Sequence, residues 1–159
     1  MIDTPQIAHS TAQQVAMIRL TVPTSTIRAV MGPGIREVYE TLAAQGISPA
    51  GPWLTHHVRR PTEVFDFAIC VPVTTAVAPA GRVQPGVLPA ATVARIVYRG
   101  SYEGLAAAWG ELMCWIEAEG HTPREDLWEI YAAGPESGQD ASAWRTELNC
   151  PLVDVARNR

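Results

Sequence analysis

The chain is poor in cysteine and in basic charge. Its three cysteines, Cys70, Cys114 and Cys150, are odd in number, far apart and never in a CxxC pair. Neither a thiol-redox pair nor a zinc site is signalled, and each falls in an apolar segment, where cysteine acts as a small buried hydrophobe. Lys and Arg together number 12 against 16 Asp and Glu, for a net charge of -4. Arg59-Arg60 is the only adjacent basic pair, so no basic stripe exists to displace the counterions of a nucleic acid. A small cation fits this balance better than a phosphate-rich partner does. No apolar run reaches the length of a membrane span, and the polar start MIDTPQIAHSTAQQ lacks the basic-then-apolar order of a leader. A cytoplasmic protein without nucleic-acid or membrane partners is expected. GxSxG, Walker and dinucleotide fingerprints are also missing, so no cofactor is implied.

What remains is a globular composition. Apolar residues make up 47% and charged residues 18% of 159 residues, enough for one domain (1–159) with a core of its own. QQVAMIRLTVP (13–23) alternates and is rich in β-branched residues, so it predicts a strand. The next stretch has cap residues at Thr24 to Thr26. Ile27, Val30, Ile35, Val38, Tyr39 and Leu42 then fall at helical spacing, with Gly46 as the stop. Gly32-Pro33-Gly34 threatens that helix, because proline lacks a donor and clashes with the preceding turn; one helix or two pieces would follow. GPWLTHHV (51–58) and EVFDFAICVPV (63–73) read as a hairpin around Arg59-Arg60-Pro61. Residues 75–89 are either a linker or contain one short edge strand.

The second half repeats the pattern. ATVARIVYRG (91–100) predicts a strand. SYEGLAAAWGELMCWIEAEG (101–120) predicts a helix with Ser101 as N-cap, an apolar stripe at Leu105, Ala108, Trp109, Leu112, Trp115 and Ile116, and Gly120 as terminator. DLWEIYAA and WRTELNCPL then predict two strands around a turn-rich GPESGQDAS. The helices end AAQGISP and AEGHTP, and the last strands end CVPV and NCPL. Gly46 to Pro72 and Gly120 to Pro151 differ in length, and the longer Pro135 to Ser142 turn absorbs the difference. An internal duplication explains this better than one irregular fold: half one spans about 13–75 and half two about 90–153.

In this order, "GSYEGL…AW…W", "WEIY" and "TELNCPL" resemble the gyrase-inhibitor-like (GyrI-like) effector-binding domain, over residues 13 to 153. Similar modules form the C-terminal domains of AraC- and MerR-type multidrug-responsive regulators. The resemblance implies an α+β fold of duplicated strand-helix-strand-strand (SHS2) units with pseudo-two-fold symmetry. Helices would pack on one side of antiparallel sheets, and a ligand groove would lie between the halves. Regulators carry a helix-turn-helix ahead of the module. Here only about a dozen residues precede the first expected strand, so a stand-alone form, monomer or homodimer, is expected.

Glu129 is the sharpest candidate, a carboxylate inside an apolar strand. Alternation puts Leu127, Glu129 and Tyr131 on one face and Trp128 and Ile130 on the other. If Trp128 and Ile130 pack on the helices, Glu129 and Tyr131 face a ligand; otherwise Glu129 sits in water or pairs with Arg145. The resemblance matches Glu129 to the family's ligand-sensing glutamate. An organic cation would supply the missing charge, and aromatic walls would add roughly 0.5–2 kcal/mol each. Five tryptophans and four tyrosines provide such walls, with Trp109, Tyr98, Tyr102 and Trp53 as candidates, although core packing is the safer reading for any single one of them. Trp115 lies on another side of the helix from Trp109.

His56 and His57 point to opposite faces of a strand and cannot chelate one metal together, and nothing in the spacing favours completion by Glu63 or Asp66. No metal site is expected. His56 falls near the mirror position of Glu129 and is a groove candidate. Glu147 joins Arg145 and Asn149 on a solvated face, or supports Glu129. Two functions follow: binding of flat, hydrophobic, cationic aromatic compounds, or hydrolysis of cyclopropane-bearing natural products with Glu129 as general acid/base and Tyr131 beside it. The resemblance implies the second for some stand-alone members. Engagement of a topoisomerase is a family-level analogy without a surface motif to support it.

Overall fold

The computed structural model describes residues 2–60, 62–134 and 140–153. Its strands and helices run β1 Gln6–Ser10, β2 Gln13–Pro23, α1 Ile27–Ala44, β3 Leu54–His57, β4 Val64–Pro72 and β5 Gln84–Leu88. They continue with β6 Ala91–Arg99, α2 Leu105–Ala118, β7 Leu127–Ala133 and β8 Arg145–Pro151. The chain forms two compact units. Residues Thr11–Ala90 make the first; the stretch up to Ser10 and that from Ala91 onward make the second.

Each unit is α+β with antiparallel pairing. The first has strand order β3-β4-β2-β5, and the second has β7-β8-β6-β1. The strand-helix-strand-strand unit expected from the sequence therefore occurs twice, as β2-α1-β3-β4 and β6-α2-β7-β8. Each helix covers one face of its own sheet. Gly34, Val38 and Leu42 are the buried positions of α1, and Ala108, Leu112 and Ile116, each 74 places later, those of α2. Their partners are Ile18, Phe67 and Ile69 in the first unit and Ile96, Leu148 and Cys150 in the second. A fully buried Leu or Ile side chain contributes about 1.5–3 kcal/mol, so these rows hold each helix to its sheet.

Both helices end the same way. Gly46 and Gly120 adopt positive φ, 70° and 80°. The Gly46 amide donates to the Ala43 carbonyl and Ile47 to Leu42; Gly120 donates to Glu117 and His121 to Ile116. These are paired Schellman closures, which satisfy carbonyls that a helix end leaves open.

In two places an expectation changes, and in two an open reading closes. The polar start holds a strand, β1, paired to β6; its QIAHS sequence is too short and polar to stand out. Of the two readings of 75–89, the edge strand is the one present, as β5 paired to β2. α1 is one helix with Pro33 inside it. Gly34 is a packing glycine, since a Cβ there would lie 2.5 Å from Ile69 Cδ1. Neither Ser101 nor Thr26 makes a side-chain cap. Thr26 Oγ1 donates instead to the Pro23 carbonyl at 2.9 Å, and Ser101 acts through its carbonyl, which accepts from the Gly104 amide and the Tyr98 hydroxyl. Pro61 and most of the expected 134–142 turn lie outside the described residues.

Candidate functional site

The position of Glu129 follows from strand register. β7 sets Glu129 opposite Leu148 and Tyr131 opposite Thr146, and β6 sets Ile96 and Tyr98 opposite the same two residues of β8. Cross-strand partners share a face. Ile96, Tyr98 and Leu148 pack with α2, so Glu129 and Tyr131 lie on the helix side of the sheet. This reverses the expectation that Trp128 and Ile130 would pack on the helix. Alternation separates two faces without saying which one a helix covers. Trp128, only 1% exposed, is buried on the opposite face beside Asn149.

That opposite face carries its own polar network. Arg95 Nε donates to Asn149 Oδ1 at 2.7 Å, Asn149 Nδ2 donates to Glu147 Oε1 at 3.2 Å, and Arg95 reaches Ser10 Oγ at 3.2 Å. Arg95 also pairs with Glu147 at 3.4 Å. Glu147 is therefore neither fully solvated nor a support for Glu129, and Arg145, on the same face, is not the partner of Glu129.

On the helix side, two neutral donors converge on one carboxylate. Trp109 Nε1 of α2 donates to Glu129 Oε2 at 2.6 Å, and the Tyr131 hydroxyl donates to Oε1. Glu129 is half-buried, with protein packed around it and part of its surface open. Burial pushes its carboxyl above the usual range, while the bonds from Tyr131 and Trp109 pull it back only in part. No cation offsets the charge among the described residues. The sequence has no lysine, and all twelve of its formal cations are arginines. A desolvated carboxylate without a counterion costs several kcal/mol, of which a hydrogen bond to a charged group returns about 1.5–3.

An aromatic row continues from this centre. The Tyr102 ring meets Tyr131 edge-on, with centroids 5.8 Å apart and planes at 77°, and lies 5.3 Å from the ring of Trp144. Trp144 escaped the sequence reading. Its only signal is its place, one residue before the strand that pairs with β7. Tyr98 stands apart from this row. Its ring belongs to the core, its hydroxyl donates to the Ser101 carbonyl at 2.7 Å, and Gly104 lies so close that a Cβ would come within 2.1 Å of that oxygen. Tyr98 thereby fastens the 3-10 turn, Tyr102–Gly104, that carries Tyr102. Trp115 packs at the core margin, with its ring near His121.

Trp53 and His56 belong to the first unit. Trp53 packs against that unit's core. His56 pairs with Ala68, on the face away from α1. The mirror of Glu129 is Thr55, opposite Ile69 as Glu129 is opposite Leu148, and the mirror of Tyr131 is His57. His57 is 6% exposed and stacks on Phe67 at 5.3 Å, and its Nδ1 has no hydrogen-bond partner among the described residues. Burial lowers its pKa to about 4, with a smaller contribution from His56, so the ring is neutral near pH 7. Among the described residues no cluster of three or more His, Cys, Asp or Glu could hold a metal, and no helix is long and apolar enough to cross a membrane.

Comparisons with known proteins agree on the fold. The C-terminal domain of EcmrR superposes with a TM-score of 0.84 at 24% identity, covering 96% of this chain and 98% of that domain. In EcmrR bound to DNA, with the same score and identity, this chain spans 58% of the partner's length. SAV2435 bound to tetraphenylphosphonium gives a TM-score of 0.65 at 11% identity, covering 99% and 98% of the two chains. A hydrolase from Listeria innocua gives 0.66 at 11% identity, covering 94% and 91%. No curated protein matches. The profile of the GyrI-like small molecule binding domain matches residues 3–153, and the chain belongs to that family.

Proposed function

We propose that the chain binds flat, hydrophobic, cationic aromatic small molecules in the cytoplasm, to sense or sequester them. Glu129 is the charge partner, and Tyr131, Trp109 and Tyr102 are its neighbours in the site. The observation that carries this reading is a carboxylate with two neutral donors and no counterion among the described residues. The tetraphenylphosphonium held by SAV2435 supports an organic cation as the ligand class. Titration of a rhodamine dye against wild type and Glu129→Gln tests it. The variant should bind at least about tenfold more weakly, a loss of roughly 1.4 kcal/mol or more; equal affinity would remove Glu129 from the site.

The Tyr131–Glu129 hydrogen bond favours one second reading. A phenol bonded to a carboxyl whose pKa is raised can pass a proton to a leaving group or take one from water, and a hydrolase shares the fold. Incubation with a cyclopropane-bearing alkylator, followed by mass spectrometry, would reveal a water adduct formed faster than in buffer. A rate equal to that of buffer leaves binding alone.

A further inference from the structure

We propose that Glu129 carries a proton in the ligand-free protein and releases it when an organic cation binds, so that the site exchanges one positive charge for another. This rests on the binding reading above. Its basis is the set of groups around the carboxyl. From α2 comes the Trp109 indole, which does not titrate near neutrality; from β7, Tyr131 and Leu127; from β8, Thr146 and Leu148, with Ile96 and Tyr98 of β6 one strand further on. Among the described residues of this unit, the titratable members of this shell are Tyr131 and, next to it, Tyr102, with Tyr98 one strand further on. A phenol cannot carry a positive charge, so none of these groups is a counterion for the carboxylate.

Two donors without charge cannot replace the water a carboxylate loses on burial, so the neutral acid is the form the empty site favours. The contact with Tyr131 suits both forms. One hydrogen lies between Oε1 and the phenolic oxygen, given by the phenol to the carboxylate or by the acid to the phenol. Burial dominates the balance and favours the acid.

A bound cation reverses this balance, because an opposite charge close to a carboxyl favours ionisation. The O–H bond of Glu129 breaks, the proton passes to buffer, and the ligand's charge takes its place. No other reactant is needed. A cation docked on the protonated acid would be buried without compensation, so the acid form is a poor receptor. On the acid side of the Glu129 titration, affinity for a permanent cation should fall about tenfold per pH unit, the slope of one linked proton. A neutral ligand of similar shape should show no such slope.

Tetraphenylphosphonium is the probe, because it has no proton to lose. Isothermal titration of wild type from pH 5 to pH 8, in buffers of contrasting ionisation enthalpy, counts the protons released per ligand. The expected result is a release that approaches one at the acid end and declines with rising pH, with affinity rising in step. Triphenylphosphine oxide should bind, if at all, with no release. Glu129→Gln should release none, and Glu129→Leu, which also lacks an ionisable group, offers the same check if the glutamine variant does not fold. Tight binding by wild type with no release at any of these pH values would overturn the exchange and leave the cation site standing. If the folded protein binds no tetraphenylphosphonium, the binding reading fails and the exchange with it.

Discussion

At matching places the two units carry different chemistry. Glu129, Tyr131 and Trp109 in the second correspond to Thr55, His57 and Ile35 in the first, each 74 residues earlier. Both sets sit on the helix side of a sheet with the same strand order. One set gathers a carboxyl and two donors. The other holds a hydroxyl, a neutral imidazole stacked on phenylalanine, and an aliphatic chain. One scaffold thus tolerates opposite electrostatic content at a single position, because register and helix packing are set by the surrounding rows. Fold and site chemistry are separately adjustable here.

The largest expected effect that breaks the likeness is the response to acid. His57 has its folded-state pKa lowered from 6.5 to about 4, so its contribution to stability is full above pH 6.5. It is lost as pH falls toward 4, on the order of 3 kcal/mol. Glu129 has its pKa raised, which gives the opposite sign: its contribution is present below the unfolded value and lost as pH rises through the folded one. Hydrogen exchange at pH 5 against pH 7 should show protection falling in β3 and β4 while β7 and β8 hold or gain. A parallel fall in both units would refute the contrast. Glu129→Gln should accordingly raise Tm at pH 8, and the gain should shrink toward pH 4.

A smaller effect sharpens the comparison of the helices. Gly34 occupies the place of Ala108, and a Cβ at Gly34 would collide with Ile69 Cδ1 at 2.5 Å. Gly34→Ala gains helix propensity of about 1 kcal/mol but overpacks the core by about 1–3 kcal/mol. Urea denaturation should show a net loss of roughly 1 kcal/mol. Ile69→Val removes the colliding methyl, so the double variant should recover much of that loss beyond the sum of the singles. Smallest is Tyr98→Phe. It deletes the bond to the Ser101 carbonyl, for about 1 kcal/mol, and should leave the Tm of Glu129→Gln displaced from its parent by the same amount.

The sequence reveals elements better than it reveals which way they face. The apolar spacing of Val38 and Leu42 and the alternation around Ile18 and Ile69 are strong because they reflect buried rows. β1 was hidden because an outer strand has one neighbour and needs little hydrophobicity. Pro33 read as a break because the packing role of Gly34 depends on Ile69, which is remote in sequence. Glu129 and Tyr131 were legible as a pair by their spacing of two. Trp109 was legible only as an aromatic, since its bond to Glu129 depends on the approach of α2 to β7. His56 only neighbours the true mirror positions, Thr55 and His57, because alternation within one strand carries no register between the halves.

The pairing of Ser10 with Ala91 across β1 and β6 has a consequence for the growing chain. β1 leaves the ribosome before its partner and cannot find it until some eighty residues more have followed, on the order of ten seconds at ordinary rates of synthesis. Throughout that interval it is an unpaired strand, the kind of segment that recruits neighbours into aggregates. The polar composition that concealed it, Gln6 and His9 to Ser10 around the single large apolar Ile7, keeps it soluble while it waits. Meanwhile residues 11–90 can complete their own sheet, because Gln13 and Leu88 are also cross-strand partners. Synthesis order and topology then agree: the unit that holds His57 closes first, and the unit that holds Glu129 is finished by a strand made before either.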